Sequence, residues 1–268
     1  MAENEIYILK EGSFTLESGA IFGMLPKSIW GRSFSETLSG RIPMSTNIAV
    51  ISRYSGITLI DTGVGRVGDE RFRGFFEISV SADLNGRLKE FFGNRKIENI
   101  IHTHLHFDHV GNDRSIETGK ESRILVQESE VSGYRHPNML TRSSYVRGSV
   151  PPAKVYKVRG TKKLHGGITM ICTGGHTEGH QVVQFELKGK KFMHFGDLIP
   201  TSFHLKPNYI AAIDNFPIDT LGMKMKLIRK VIAEGHICIF NHNTGTAAGT
   251  VSGNIEKPVF NPVDLPTL

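Results

Sequence analysis

The stretch IIHTHLHFDHVGN, running from Ile100 to Asn112, places four histidines and one aspartate within the eight positions His102 to His109, directly after an apolar run. The preceding IENII reads as a short strand buried on both faces, so these side chains leave a strand and enter a turn. In an extended segment His104 and His106 point to the same side, and Asp108 and His109 fold round on the turn that follows. Imidazole with carboxylate suits zinc, manganese or iron. The spacing lets one short loop feed two ions, whereas a zinc finger would draw on paired cysteines.

Further along, the same grammar recurs. All 12 histidines lie at position 102 or later. TGGHTEGHQVV carries His176 and His180, MHFGDLIP carries Asp197, and ICIFNHNTG carries His242. Each pairs an apolar strand with a ligand-type residue near its end, and open α/β sheets hold their ligands in the crevice outside the carboxyl ends of the strands. His102, still within the strand, and His194 read as buried core histidines, and His136 as a surface-loop residue.

Around these motifs the chain alternates strand and helix signals. Residues 46–60 read as two strands about a YSG turn. SADLNGRLKEFFG reads as a helix with a serine cap and Gly93 as its stop, and IDTLGMKMKLIRKVIAEG as an amphipathic helix capped by Asp219 or Thr220 and stopped by Gly235. SRILVQ, GGITMICTGG, QVVQFELKGKKFMHFGD and HICIFNHN read as strands, and ESEVSGYR opens a helix. Strands followed by helices in both halves give an α/β arrangement of helix-covered sheets, with residues 1–268 as one domain. Gly12 to Arg41 and Pro137 to Val155 resist assignment. Both carry apolar residues, among them Phe22, Met24, Trp30 and Tyr145, and are expected to form pocket walls or dimer contacts.

Composition bounds the rest. Apolar residues make up 39% and charged residues 22%, as in ordinary globular chains. Cys172 and Cys238 each sit in an apolar run and are expected as buried thiols in a reducing compartment. No secretory signal and no run of roughly 18 apolar residues is present, so a soluble cytoplasmic protein is expected. The net charge of +6 is spread over short clusters without interleaved aromatics. That pattern favours a solvated basic surface over a nucleic-acid face.

The motifs resemble those of the metallo-β-lactamase superfamily. THLHFDHVGN matches its His-x-His-x-Asp-His signature at His104, His106, Asp108 and His109, and the remaining positions are matched by Asp61 in LIDTG, His176, Asp197 and His242. The resemblance covers about residues 45–245. Locally, GAIFGMLPKSIW, THLHFDHVGN and GDLIPTSFHL look like the branch containing acyl-homoserine lactonases and methyl-parathion-hydrolase-like enzymes. Two departures stand out: Asn243 follows His242 where that branch carries aspartate, and no tyrosine follows Asp197 before Tyr209.

The resemblance implies an αββα sandwich of two mixed β-sheets flanked by helices. It implies two divalent ions, zinc with manganese or iron as alternatives. His104, His106 and His176 would hold the first, Asp108, His109 and His242 the second, and Asp197 would bridge them. Asp61 would orient the histidine loop from behind, and His180 would support the His176 loop by hydrogen bonding. The implied reaction is attack by a metal-bridging hydroxide on a small ester, lactone or phosphotriester, with Asp108 and Asp197 as catalytic residues and Asp108 shuttling a proton to the leaving group. Phe22, Met24, Trp30 and His204 are expected to contact substrate, a greasy uncharged molecule. A homodimer is expected, with no membrane or nucleic-acid partner. A nuclease and an iron-dependent redox enzyme resembling persulfide dioxygenases are the competing readings. No Gly-x-Ser-x-Gly elbow or phosphate-binding Gly-x-x-x-x-Gly-Lys loop is present.

Overall fold

The structure is a computed structural model and describes residues 4–81 and 83–268. Two mixed sheets lie face to face. The first is built from β1 (Glu5–Glu17), β2 (Arg41–Ser52), β3 (Ile57–Ile60), β4 (Ser79–Val80), β5 (Ile97–Ile101), β6 (Arg123–Gln127) and β7 (Val155–Val158), in the order β4-β1-β2-β3-β5-β6-β7. The second takes β8 (Lys162–Lys163), β9 (Thr169–Cys172), β10 (Gln181–Leu187), β11 (Lys190–His194), β12 (Ile237–Ile239), β13 (Ala248–Gly253) and β14 (Pro258–Pro262), in strictly reversed sequence order. Strands β3, β5, β6 and β7 run parallel, as do β11 and β12; the other pairings are antiparallel.

Alternation along the strands produces the layers, because successive side chains point to opposite faces. Ile51, Ile60, Ile101 and Leu125 of the first sheet meet Val183, Phe185, Phe192 and Ile239 of the second in one apolar layer between the sheets. On the outer face of the first sheet, Leu59, Ile97 and Ile100 pack against Leu84, Leu88 and Phe92 of helix α4 (Leu84–Phe92, which follows the short helices α1, Ser18–Phe22, α2, Lys27–Trp30, and α3, Glu70–Phe75). Helix α5 (Glu128–Arg135) lies beside β6. Helix α6 (Pro217–Glu234) covers the second sheet with Leu227, Ile228 and Val231 against Val182, Met193 and Cys238. This is the expected αββα sandwich.

Several local expectations change. The helix at Ser81 is capped by Asp83, whose carboxylate accepts the Gly86 N–H at 3.1 Å. Helix α6 starts at Pro217 with no side-chain cap, because the fixed φ of proline suits the first helical position and its missing N–H costs nothing there. The start of the Gly12–Arg41 region is strand: β1 runs to Glu17 past a register shift between Lys10 and Gly12. Cys172 and Cys238 are free, but only Cys238 is fully buried. No helix among the described residues is long and apolar enough to cross a membrane.

Candidate metal centre

The seven expected donors converge at one edge of the sandwich. His104, His106, Asp108 and His109 leave the carboxyl end of β5, while His176, Asp197 and His242 leave the ends of β9, β11 and β12. Two groups form: His104 with His106 and His176, and Asp108 with His109, Asp197 and His242, the donor atoms of each group lying within 4.8 Å of one another. All are buried. His106 Nδ1 lies 3.0 Å from His176 Nε2. Asp197 faces both groups, with Oδ2 at 3.5 Å from His176 Nε2 and 4.0 Å from His104 Nε2, and Oδ1 at 2.9 Å from His242 Nε2 and 3.4 Å from His109 Nε2. Asp108 Oδ2 stands 3.5 Å from His109 Nε2 and 3.4 Å from His242 Nε2.

These separations test the fit of a cation. Ligands about 2.0–2.1 Å from a tetrahedral ion lie about 3.3 Å apart, close to the distances just given. His104 Nε2, His109 Nε2, His242 Nε2 and Asp197 Oδ1 are buried without a hydrogen-bond partner. Orphaned buried acceptors cost on the order of 1–3 kcal/mol each, and a shared cation would satisfy them together. The donor set fits two divalent ions.

The network behind the donors fixes each ring. Asp61 accepts the Thr103 N–H at 2.8 Å and the Thr103 hydroxyl at 2.9 Å, and bonds His109 Nδ1 at 2.8 Å and Asn241 Nδ2 at 3.1 Å. Its φ of 61° is a left-handed conformation uncommon for a non-glycine residue, though aspartate tolerates it better than most. His242 Nδ1 donates to the Ser45 carbonyl at 2.8 Å, and His176 Nδ1 bonds Asp214 Oδ1 at 2.7 Å. In both rings this leaves Nε2 for the centre. His180 ties two loops together, with Nδ1 at 2.7 Å from the Thr173 hydroxyl and Nε2 accepting the Asp197 N–H at 3.0 Å. Gly196 takes φ +53, and a Cβ there would stand 2.6 Å from His180 Nε2, so only glycine lets Asp197 turn in this close.

The charges divide the two groups. Burial, and then the facing His109 and His106 rings, push the His104 imidazole well below its ordinary pKa. Burial also lowers His109, but Asp108, Asp197 and Asp61 outweigh it and hold that ring well above its usual range. Burial alone would raise the Asp197 carboxyl; His242 and His109 instead hold it well below the carboxylate range.

Three carboxylates that no motif marked belong to this network. Glu130, at the start of α5, accepts the Leu105 N–H at 2.9 Å, the Tyr145 hydroxyl at 3.0 Å and the Thr177 hydroxyl at 2.6 Å. It thereby joins the loop between His104 and His106 to the loop of His176. Its segment, ESEVSGYR, looks like an exposed helix start, and Asp214 looks like an ordinary turn residue. Glu11 accepts the Val64 and Gly65 N–H groups and the Asn112 side-chain amide, each at 3.0 Å. Nothing in the local sequence marks Glu11, whose burial exists only in the fold. His102 is buried, with Nε2 at 2.9 Å from Asp113 Oδ2 and Nδ1 3.5 Å from Asp61 Oδ1.

A cleft of about 200 Å³ opens above the donors, lined by Phe14, Leu16, Ile21, Phe76 and Phe107 together with Arg41, His106, Asp108, Asp197 and His242. The expected substrate contacts lie elsewhere, which corrects that expectation. Phe22 and Trp30 are buried and stack on one another at 4.8 Å in an aromatic cluster behind the cleft. Met24 projects fully into solvent. His204 is buried with both nitrogens engaged, at 2.7 Å from the Thr201 hydroxyl and 2.9 Å from the Ile21 carbonyl. Tyr209 packs on Phe203 at 4.9 Å and does not line the cleft. Asn243 has a local reason: its carbonyl oxygen accepts the Ser202 N–H at 2.9 Å and its amide donates to the Thr246 carbonyl at 2.8 Å. An aspartate could supply only the first of these.

Comparison with known proteins agrees with this architecture. A probable metallo-hydrolase from Mycobacterium bovis is 26% identical over 182 residues, covering 58% of this chain and 57% of that protein. N-acyl homoserine lactonase from Bacillus thuringiensis is 32% identical over 88 residues, or 32% of each chain. The matched stretch thus spans just over half the length of the first relative and about a third of the second. Among solved structures, a probable metal-dependent hydrolase from Staphylococcus aureus superposes with a TM-score of 0.86 at 24% identity, covering 99% of this chain and all of that one. A dizinc quorum-quenching lactonase superposes with a TM-score of 0.77 at 18% identity, covering 99% and 97%. At these identities the two structures show a shared fold. The model of the metallo-beta-lactamase superfamily matches residues 41–242, a stretch that takes in strands β2 to β12 and all seven candidate donors, and the chain belongs to that superfamily.

Proposed function

We propose that this protein is a metal-dependent hydrolase acting on a small ester, lactone or phosphotriester with an apolar portion, and that residues 1–268 work as one domain. One observation carries the reading: two groups of buried donors, several without partners, meet beneath an apolar cleft whose lining includes His106, Asp108, Asp197 and His242. His104, His106 and His176 would hold one divalent ion and Asp108, His109 and His242 a second, with Asp197 facing both. Zinc is the first choice for that donor set. Bound there, the pair would supply Lewis acidity and lower the pKa of a water towards neutrality.

The chain's own residues do the rest. Phe14, Phe76 and Phe107 exclude water from the cleft and receive the apolar body of the substrate. Asp108 stands on the cleft floor beside Asp197 and His242, where it is placed to pass a proton to the leaving oxygen. Asp61, Asp214 and the Ser45 carbonyl keep the imidazoles in the orientation that presents a lone pair. The curated relatives named as metallo-hydrolase and lactonase, and the lactonases solved with an acyl-homoserine product, support this reaction class.

The test is metal content per chain, by plasma mass spectrometry on protein purified without an affinity metal, followed by a panel of lactones, esters and phosphotriesters. About two zinc or manganese ions, with turnover that stops on chelation and returns on reconstitution, is the expected result. Iron as the dominant metal with no hydrolysis would transfer the reading to oxygen or persulfide chemistry.

A further inference from the structure

Resting on the hydrolase reading, we infer that the substrate carries an anionic group, a carboxylate for choice, at the end remote from the bond that is cleaved, and that Arg41 selects it. Arg41 opens β2 and lines the same cleft as Asp108, Asp197 and His242. Its side chain is only 12% exposed, against 65% for its single carboxylate partner, Glu17, whose Oε1 accepts from Nε at 3.0 Å. The guanidinium lies 4.4 Å over the Phe75 ring. Neither Nη makes a hydrogen bond or ion pair among the described residues. A half-buried fork with free donors is matched by a carboxylate, which accepts both at once; a neutral carbonyl uses one and leaves the charge less compensated. Pairing with an exposed glutamate is weak, because water screens it.

The strand supplies a ruler. Ser45, whose carbonyl holds His242, lies four residues along β2 from Arg41. At about 3.3 Å per residue that is roughly 13 Å of strand, which puts the guanidinium on the order of 10 Å from the donor groups. Phe14, Leu16 and Phe76 line the cleft as well. A substrate that fits has its scissile group over the donors, an apolar body along the aromatic wall and its charge at Arg41. The uncharged molecule expected from sequence gives way to an amphipathic anion.

The experiment uses the metal-loaded protein and chromogenic para-nitrophenyl half-esters of succinate, adipate and sebacate, each beside its neutral methyl-capped diester. The expected preference for half-ester over diester grows with chain length and is largest for sebacate. Arg41→Met should lower that preference roughly tenfold or more, as loss of a hydrogen bond to a charged group does. The change should appear as a raised KM for the half-ester with kcat little altered. Arg41→Lys should recover part of it, since the charge remains and the fork does not; a matching melting temperature shows that both variants fold. Equal use of half-ester and diester by the unmodified protein, or an unchanged preference in Arg41→Met, overturns the inference while leaving hydrolysis intact. Absence of metal-dependent turnover on every ester and lactone would instead break the hydrolase reading. The inference then rests on calorimetric binding of sebacate monomethyl ester: binding lost in Arg41→Met supports it, and equal binding overturns it.

Discussion

Four of the seven donors, His104, His106, Asp108 and His109, sit within six consecutive residues, whereas His176, Asp197 and His242 arrive from three separate strand ends of the second sheet. The first set is one loop, and its geometry depends on what clamps that loop from behind: Asp61 on one side, Glu130 on the other, and Glu11 through Asn112 beyond His109. The second set is placed by the sheet itself, each donor held by one partner of its own, Asp214 for His176, His180 for Asp197 and the Ser45 carbonyl for His242. A contiguous motif needs external clamps because a loop has no ladder to hold it. A dispersed set needs only one partner for each donor, yet it forms only when the fold is complete.

Substitutions can break this contrast at known points. The largest effect is expected from Asp197→Asn, which weakens both groups together. Loss of several kcal/mol of Lewis-acid stabilisation, at 1.36 kcal/mol per tenfold, puts the fall in kcat/KM on the order of a thousandfold. Metal content should drop with it; a variant that keeps two ions and full activity would show that Asp197 is not shared. Next comes Glu130→Ala, which frees the loop that carries three histidines and the loop of His176 at once. Metal affinity, read by competition with a chelator, should weaken about 10–100-fold, and Glu130→Gln should restore part of it, because the amide carbonyl still accepts from Leu105. Asp214→Ala removes the partner of a single dispersed donor. Its loss should fall at the low end of the same range, about tenfold, and a larger loss than Glu130→Ala would reverse the contrast.

A smaller effect concerns stability. Lys224 is buried in α6 and donates to the Tyr209 carbonyl at 2.5 Å, and burial lowers its pKa from 10.5 to about 7, opposed in part by Asp214. Between those two values the unfolded chain binds more protons than the folded one, so stability should rise as pH increases from about 7 to 10.5 and should carry the full penalty below 7. Denaturant melts of Lys224→Met should show a flatter profile across that window. The smallest change is expected from Asn243→Asp, which loses the donor to the Thr246 carbonyl for about 1 kcal/mol and leaves the metal donors in place.

Much of this was legible in the chain, and the exceptions have identifiable causes. Strand β1 was invisible because the shift between Lys10 and Gly12 breaks its alternation, and because Glu11, a buried acid at the centre of a strand, reads as surface. Strand β13 carries Ala248, Gly249 and Gly253, small residues with little strand preference, and pairs because β12 and β14 flank it. The aromatic residues of the 18–40 segment were rightly read as apolar but wrongly placed in the cleft. Phe22 packs instead against Trp30, Phe34, Phe203 and His204.

The sequence alone named the seven candidate donors, through ligand-type residues near the ends of apolar strands and through motifs that resemble those of the metallo-beta-lactamase superfamily. Strand and helix periodicity pointed to helix-covered sheets, and the family resemblance implied the two-sheet sandwich. Only the tertiary structure decided what holds the donors and what enters above them. Glu130, Asp214, Glu11 and Arg41 are charged residues in unremarkable local surroundings, and their burial and partners come from segments tens of residues away. No local pattern records a contact made across 38 positions, as between His176 and Asp214, because such a contact exists only once both sheets are in place.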